Sequence, residues 1–177
     1  MTVYVALLGG INVGGRSLKM DVLRATAMGC GFEDVSTFIQ SGNALFRSAA
    51  SANAVTEQLH NAILDASGID TSIAMRTAAQ LRKVVRTNPL ADRTDDPTKL
   101  SVTFLFADVK PTMNALSPQD YAPDEVVVVG HEAYLYTPNG MGKSTLVPKV
   151  TKRLGLSGTT RNWRSTNKLA DLADAMR

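Results

Sequence analysis

Four short stretches of this 177-residue chain gather the side chains that could hold or transform a ligand. The first is Gly9-Gly10-Ile11-Asn12-Val13-Gly14-Gly15-Arg16-Ser17-Leu18-Lys19-Met20. Its four glycines permit positive φ and close backbone approach. A helix starting just after it would aim free N–H groups and positive partial charge at the loop. Arg16 and Lys19 add formal charge. The chemistry this suits is the holding of a phosphate or carboxylate, with Asn12, Gly14 and Gly15 beside the two bases. Gly-x-Gly-x-x-Gly cannot be laid on these glycines, so the dinucleotide fingerprint is excluded. The competing reading is a connector whose glycines only solve a turn.

The second stretch, Pro138-Asn139-Gly140-Met141-Gly142-Lys143-Ser144, ends like a nucleotide-triphosphate loop, but Thr137 stands where that motif needs its first glycine. The turn also leaves an antiparallel hairpin, so an anion contact at a helix start through Lys143 is the broader expectation. The third is the turn Gln40-Ser41-Gly42-Asn43. Gln40, Ser41 and Asn43 could give neutral hydrogen bonds to developing negative charge. The fourth is Thr160-Arg161-Asn162-Trp163-Arg164-Ser165-Thr166-Asn167-Lys168, where Arg161 and Trp163 suit phosphate contact and stacking. Trp163 could equally pack the last helix onto its sheet, with Ser165 or Thr166 as the helix cap.

No catalytic set is recognisable. His60 lies on the polar side of a helix and His131 in a hairpin turn, with no carboxylate at a telling spacing. Cys30 has no local activator. Two histidines and one cysteine do not supply a zinc site, so no metal and no cofactor are expected.

The elements that must position these residues read as two similar halves. Residues 2–8 alternate as a strand, and Met20, Leu23, Ala27 and Cys30 carry helical spacing up to Gly31. Val35 to Gln40 reads as a strand, turning at 41–43 into Ala44–Phe46. Ser51 can cap a helix bearing Val55, Leu59, Ala62, Ile63 and Ala66, ended by Gly68. A strand over 71–76 follows. Thr77 and Gln80 make a capping box for a short extra helix that Asn88-Pro89 ends. The order then repeats: strand 101–106, short helix 111–116, hairpin 125–129 with 133–136, helix 144–154, strand 159–162, and a last helix with Leu169, Leu172, Ala173 and Met176 on one face. The fold class expected is therefore α+β. It has two ferredoxin-like (βαββαβ) subdomains, with mainly antiparallel sheets and helices packed on them. The first subdomain spans 1–88, a linker with two prolines 89–99, and the second 100–177. The repeat is one of pattern, with no obvious identity between halves.

A plait of this order also underlies the common RNA-recognition domain. Its third-strand aromatics are missing here, since Asn43 and Leu45 occupy their places, and Tyr4 alone is a thin stacking platform. Charge is more telling. Ala91 to Gly140 holds three bases against eight acids, and Met141 to Lys168 holds seven bases and no acid. A basic segment of that size suggests an anionic partner, or else faces the acidic segment within the fold. No apolar run nears the roughly 18 residues of a membrane span. Met1 to Gly9 lacks the basic flank and cleavage site of a signal peptide. The lone Cys30 excludes a disulfide framework. A soluble, cytoplasmic protein with no membrane partner is expected, as monomer or homodimer.

Several of these segments resemble the bacterial domain-of-unknown-function family 1697. They are Leu7-Leu8-Gly9-Gly10-Ile11-Asn12-Val13-Gly14-Gly15, Met20, Leu23, Gly31-Phe32, Val35, and Phe38-Ile39-Gln40-Ser41-Gly42-Asn43-Ala44-Leu45-Phe46. Tyr136-Thr137-Pro138-Asn139-Gly140 and Thr160 through Leu169 belong with them. The resemblance implies two ferredoxin-like subdomains and no established activity. The family usually carries an arginine just before Gly-Ile-Asn-Val-Gly-Gly, where this chain has Gly9.

The leading expectation is a protein that binds a nucleotide, nucleic-acid phosphate or other anionic ligand near the cleft between the subdomains. The alternative is an enzyme acting on a small phosphorylated or carboxylated metabolite, with Asn12, Gln40, Ser41, Asn43 and Arg161 converging in one pocket. A third reading is a structural module dimerising through sheet edges.

Overall fold

The computed structural model describes residues 1–12, 14–15, 17–93, 95–107, 119, 121–149 and 157–177. The chain divides into two compact units, Met1–Val85 with Lys168–Arg177, and Arg86–Asn167. The subdomain boundaries expected from sequence were 88 and 100.

In the first unit, the alternation of Tyr4, Ala6 and Leu8 with Val3, Val5 and Leu7 becomes β1 (Thr2–Leu8). It is followed by α1 (Met20–Gly29), β2 (Glu33–Thr37), β3 (Asn43–Ser48), α2 (Ala52–Ser67), β4 (Ile73–Thr77) and α3 (Ala78–Arg86). The strands lie in the order β2-β3-β1-β4, every neighbouring pair antiparallel. That is the ferredoxin-like plait. Tyr4, Ala6 and Leu8 face the helices and join Leu23, Ala27, Phe46, Val55, Leu59 and Ile63 in the core. Phe32 and Phe46 stack there with centroids 4.2 Å apart. Val3, Val5 and Leu7, on the opposite face, are buried as well.

The helix ends follow local chemistry. Ser51 accepts a hydrogen bond from the Ala54 N–H at 3.3 Å, and Gly68 closes α2 in the left-handed region. Ser51→Ala is expected to cost about 1 kcal/mol, read as a fall in Tm of about 2–4 °C. The Thr77–Gln80 box forms reciprocally, with Thr77 N–H donating to Gln80 Oε1 at 2.8 Å and Gln80 N–H to Thr77 Oγ1 at 3.2 Å. Arg82 of α3 bonds Asp174 and Asp171 at 2.5 and 3.2 Å, and the two carboxylates raise its pKa further.

The second unit contains β5 (Leu100–Leu105), β6 (Glu125–Val129), β7 (Glu132–Tyr136) and β8 (Gly158–Asn162), in the order β6-β7-β5-β8. This repeats the first sheet strand for strand. Leu105, Tyr121, Ala133, Leu135 and Leu146 form its core on one face. On the other, Leu100, Val102, Phe104 and Tyr134 are fully or almost fully buried. α4 (Trp163–Ala175) closes the chain, and the division between units falls within it. The helix expected over 111–116 lies outside the described residues. Of that expected over 144–154, residues 146–149 are helical and 150–154 lie outside them. Among the described residues, no helix is long and apolar enough to cross a membrane.

Two expectations change at element ends. β2 stops at Thr37 rather than Gln40, because Ile39 takes φ +49°, which no β ladder accommodates. α4 is capped by Asn162, whose Oδ1 accepts from Ser165 N–H at 2.7 Å, rather than by Ser165 or Thr166. Thr166 is itself fully buried, its hydroxyl on the Asn162 carbonyl at 3.0 Å.

Candidate functional site

The glycine loop after β1 and the turn between β2 and β3 lie against each other. Leu8 N–H donates to Gly42 O at 2.9 Å, and Gly9 N–H to Ser72 O at 2.9 Å. The Thr71 hydroxyl reaches Gly9 O at 2.7 Å. Asn12 takes φ +54° and uses its whole amide within the chain. Its Oδ1 accepts from Leu18 N–H at 2.9 Å, while its Nδ2 donates to Leu18 O at 3.2 Å and Gln40 O at 2.6 Å. One side chain thus closes the loop on itself and ties it to the turn.

Asn43 does the same for the turn. It is fully buried, and its Nδ2 donates to Phe38 O at 2.8 Å and Ser41 Oγ at 3.0 Å. Phe38 N–H returns a bond to Asn43 O at 3.0 Å. These ties hold Ile39 left-handed, a conformation that costs a β-branched residue about 1–3 kcal/mol. The Ile39 side chain stays 46% exposed.

What this framework leaves outward is Gly14 and Gly15 at φ +59° and +85°, with exposed Ser17, Lys19 and Gln40. α1 begins directly behind them. Its cap residue is Lys19, in an extended conformation, and the Lys19 side chain makes no cap hydrogen bond. An uncapped start leaves backbone donors and positive partial charge facing outward. Asp21 in the first turn is paired with Arg24 at 3.3 Å. Arg16 and Val13 lie outside the described residues.

The second unit treats its candidates differently. Ser144 caps its own helical segment, accepting from Leu146 and Val147 N–H at 3.1 and 3.0 Å. Its hydroxyl donates to the buried Asp124 at 2.7 Å. The chain's own carboxylate therefore stands where a phosphate would have to approach, beside the exposed Lys143. Trp163 is buried as the first residue of α4, in the packing role rather than the stacking one.

Arg161 is 5% exposed, and burial pushes its guanidinium down to about 10. Its Nη1 donates to Thr159 Oγ1 at 2.6 Å and to Thr160 O at 2.9 Å. The strand register explains this residue. Arg161 pairs with Val102 of β5 as Arg76 pairs with Val5 of β1. Arg76 is buried too, and its Nη1 likewise donates to the carbonyl just before it, Met75 O at 2.9 Å. Each arginine precedes the residue that caps the next helix, Thr77 and Asn162. The halves thus share Arg-[Thr/Asn] at one structural position, an identity too short to be seen in the sequence.

The other bases of the acid-free segment are dispersed in burial. Lys143, Arg164 and Lys168 are exposed, Lys149 is half-buried, and Lys152 and Arg153 lie outside the described residues. Tyr4 faces the helices, 4% exposed, with its hydroxyl on Ala50 O at 2.8 Å. It offers nothing for a base to stack on.

The structure also makes a pairing that spacing hid. His60 Nδ1 meets Thr71 O at 2.9 Å, and its Nε2 stands 3.7 Å from Asp70 Oδ1. A carboxylate does neighbour His60, ten residues on, across the turn from α2 to β4. Through Thr71 it braces the base of the glycine loop. Cys30 is half-buried, and burial raises its thiol pKa, which disfavours the thiolate. Among the described residues, no cluster of three His, Cys, Asp or Glu could hold a metal ion.

Residues 1–134 match the family model described as "Protein of unknown function (DUF1697)". Among solved structures, the chain is similar to that of the conserved bacterial protein SP0830 from Streptococcus pneumoniae. The identity is 20% and the TM-score 0.78, over 98% of this chain and 99% of that one. The likeness is one of fold. No curated protein matches the chain.

Proposed function

The chain belongs to the DUF1697 family, and on that premise we propose that it binds an anionic ligand, a nucleotide or nucleic-acid phosphate, at the start of α1. One observation carries this reading. The cap residue of α1, Lys19, makes no side-chain cap bond, and exposed Gly14, Gly15 and Lys19 surround the helix start on a loop pinned by Asn12. A phosphate there would accept the open backbone donors with no Cβ in the way, and Lys19 would add a charge-assisted bond. The cytoplasm is the proposed compartment, where a single thiol stays reduced.

An enzymatic reading has less support. Asn12 and Asn43, two of the amides it would use, are committed to the chain's own backbone. Binding without chemistry is the simpler use of what stays exposed.

Titration calorimetry with inorganic phosphate, ATP and a short single-stranded RNA tests the proposal. At least one of these is expected to bind at low salt, with affinity falling as salt rises. Lys19→Glu should weaken it by about tenfold or more, the 1.4 kcal/mol or so expected of one charge-assisted contact. No detectable binding of any of the three at low salt overturns the reading.

A further inference from the structure

We propose that the outer edge of β6 is a self-association site, where a second copy of this chain adds its own β6 antiparallel about a two-fold axis at Val127. The argument starts from a contrast between equivalent edges. β2 and β6 hold the same place in their sheets. The β2 edge is blunted: its pairing with β3 is irregular between Glu33 and Ser36, Asp34 sits at φ +52°, and Glu33 and Asp34 bring two acids. Bulges and edge charges are how sheets refuse further strands. β6 has neither. It reads Glu-Val-Val-Val-Val, in unbroken register with β7 from Glu125↔Tyr136 to Val129↔Glu132. Its final valine is 45% exposed.

The hydrogen-bonding parity is fixed by the two-residue turn Gly130-His131. In such a hairpin the closing pair, Val129 with Glu132, is hydrogen-bonded, and pairs alternate from there. Leu105 N–H to His131 O and Thr137 N–H to Lys99 O agree, since both assign the odd-numbered residues flanking and within β7 to β5. Val127 therefore bonds to β7, whereas Val126 and Val128 turn their N–H and C=O outward. No described residue takes them up.

The register that meets this edge best is that of the strand with itself. A two-fold at Val127 sets Val126 opposite Val128 of the second copy, and Val128 opposite its Val126, each an outward pair able to exchange two bonds. Val127 meets itself, and Glu125 faces Val129, so no like charges oppose. Five residues span about 17 Å, too little for an obligate interface, so the dimer is weak and concentration-dependent.

Sedimentation velocity from about 10 μM to about 1 mM, the range of weak dissociation constants, reads the outcome. The wild-type chain is expected to dimerise within it. Val127→Lys and Val127→Glu each place like charges across the axis and should weaken dimerisation at least tenfold or so. An equimolar mixture of the two should dimerise again, because Lys then faces Glu. Val129→Lys should tighten the dimer by facing Glu125 of the other copy, although a lysine on an edge ordinarily discourages pairing. A wild-type chain that stays monomeric throughout overturns the proposal. So does a mixture that fails to recover while both variants keep the native circular dichroism, or a Val129→Lys variant that associates less.

Discussion

Gly42→Ala is expected to lower stability by about 3 kcal/mol, the sum of a left-handed backbone penalty of 1–2 kcal/mol and the strain of overpacking. Gly42 has φ +80°, and a Cβ there would overlap the Ile11 side chain, lying 2.9 Å from its Cγ1 and 3.1 Å from Leu8 Cβ. Ile11 is itself buried and cannot swing away freely. Gly42 O also receives Leu8 N–H, so the strain falls where the glycine loop meets the turn. Thermal unfolding should show a drop in Tm of about 6–12 °C. Adding Ile11→Ala makes room for the new methyl group. The double variant should then be less destabilised than the sum of the single ones. Additive losses would show that the clash is not the cause.

Asn43→Ala should cost about 2–3 kcal/mol, because it removes two donated bonds and leaves the Phe38 carbonyl without its amide donor. Asn43→Asp keeps the shape but turns a donor toward Phe38 O into an acceptor, so at neutral pH it should be the worse of the two. The ordering matters more than the size. If Asp is tolerated better than Ala, the side chain fills space rather than donating. With the Asn43 amide gone, Ile39 is held left-handed only by the Phe38 N–H bond to the residue 43 carbonyl and by Asn12 on Gln40 O. Amide exchange at Phe38 and Leu45 should then accelerate before the rest of the first unit opens.

Much of the fold was legible in the chain because its signals are local. Ser51 and Gly68 bracket α2 within their own sequence neighbourhood, and Thr77 with Gln80 needs only a spacing of three. Gly130-His131 between two runs rich in valine and tyrosine announces the β6–β7 hairpin. The plait follows from the order of such elements, since short connections and antiparallel pairing leave few alternatives. The ends of elements were less legible where a tertiary tie outweighs propensity. Phe38-Ile39-Gln40 looks like strand by residue type. It leaves the ladder because Asn43 and Asn12 fasten its carbonyls.

The candidate site was legible as a set of residues and opaque as to their roles. Asn12, Asn43 and Ser144 have the polarity of ligand-binding groups, and each is used by the chain itself. Whether an amide faces a ligand or a carbonyl depends on what the fold brings within about 3 Å of it. Adjacent sequence does not carry that information. Glycines and a lysine around an uncapped helix start were readable in advance as Gly14, Gly15 and Lys19, because exposure near a helix start is a local matter.

By itself, then, the sequence determined an α+β chain of two like halves, the order of their strands, and a glycine loop leading into α1. Only the tertiary structure decided that Arg76 and Arg161 are counterparts, that His60 meets Asp70, and that β2 pairs irregularly while β6 pairs in unbroken register. The reason is physical. Propensity, capping and turn chemistry act over a few residues, whereas register sets which residues far apart in the chain stand opposite each other. A side chain's partners, and so its use, follow from that opposition.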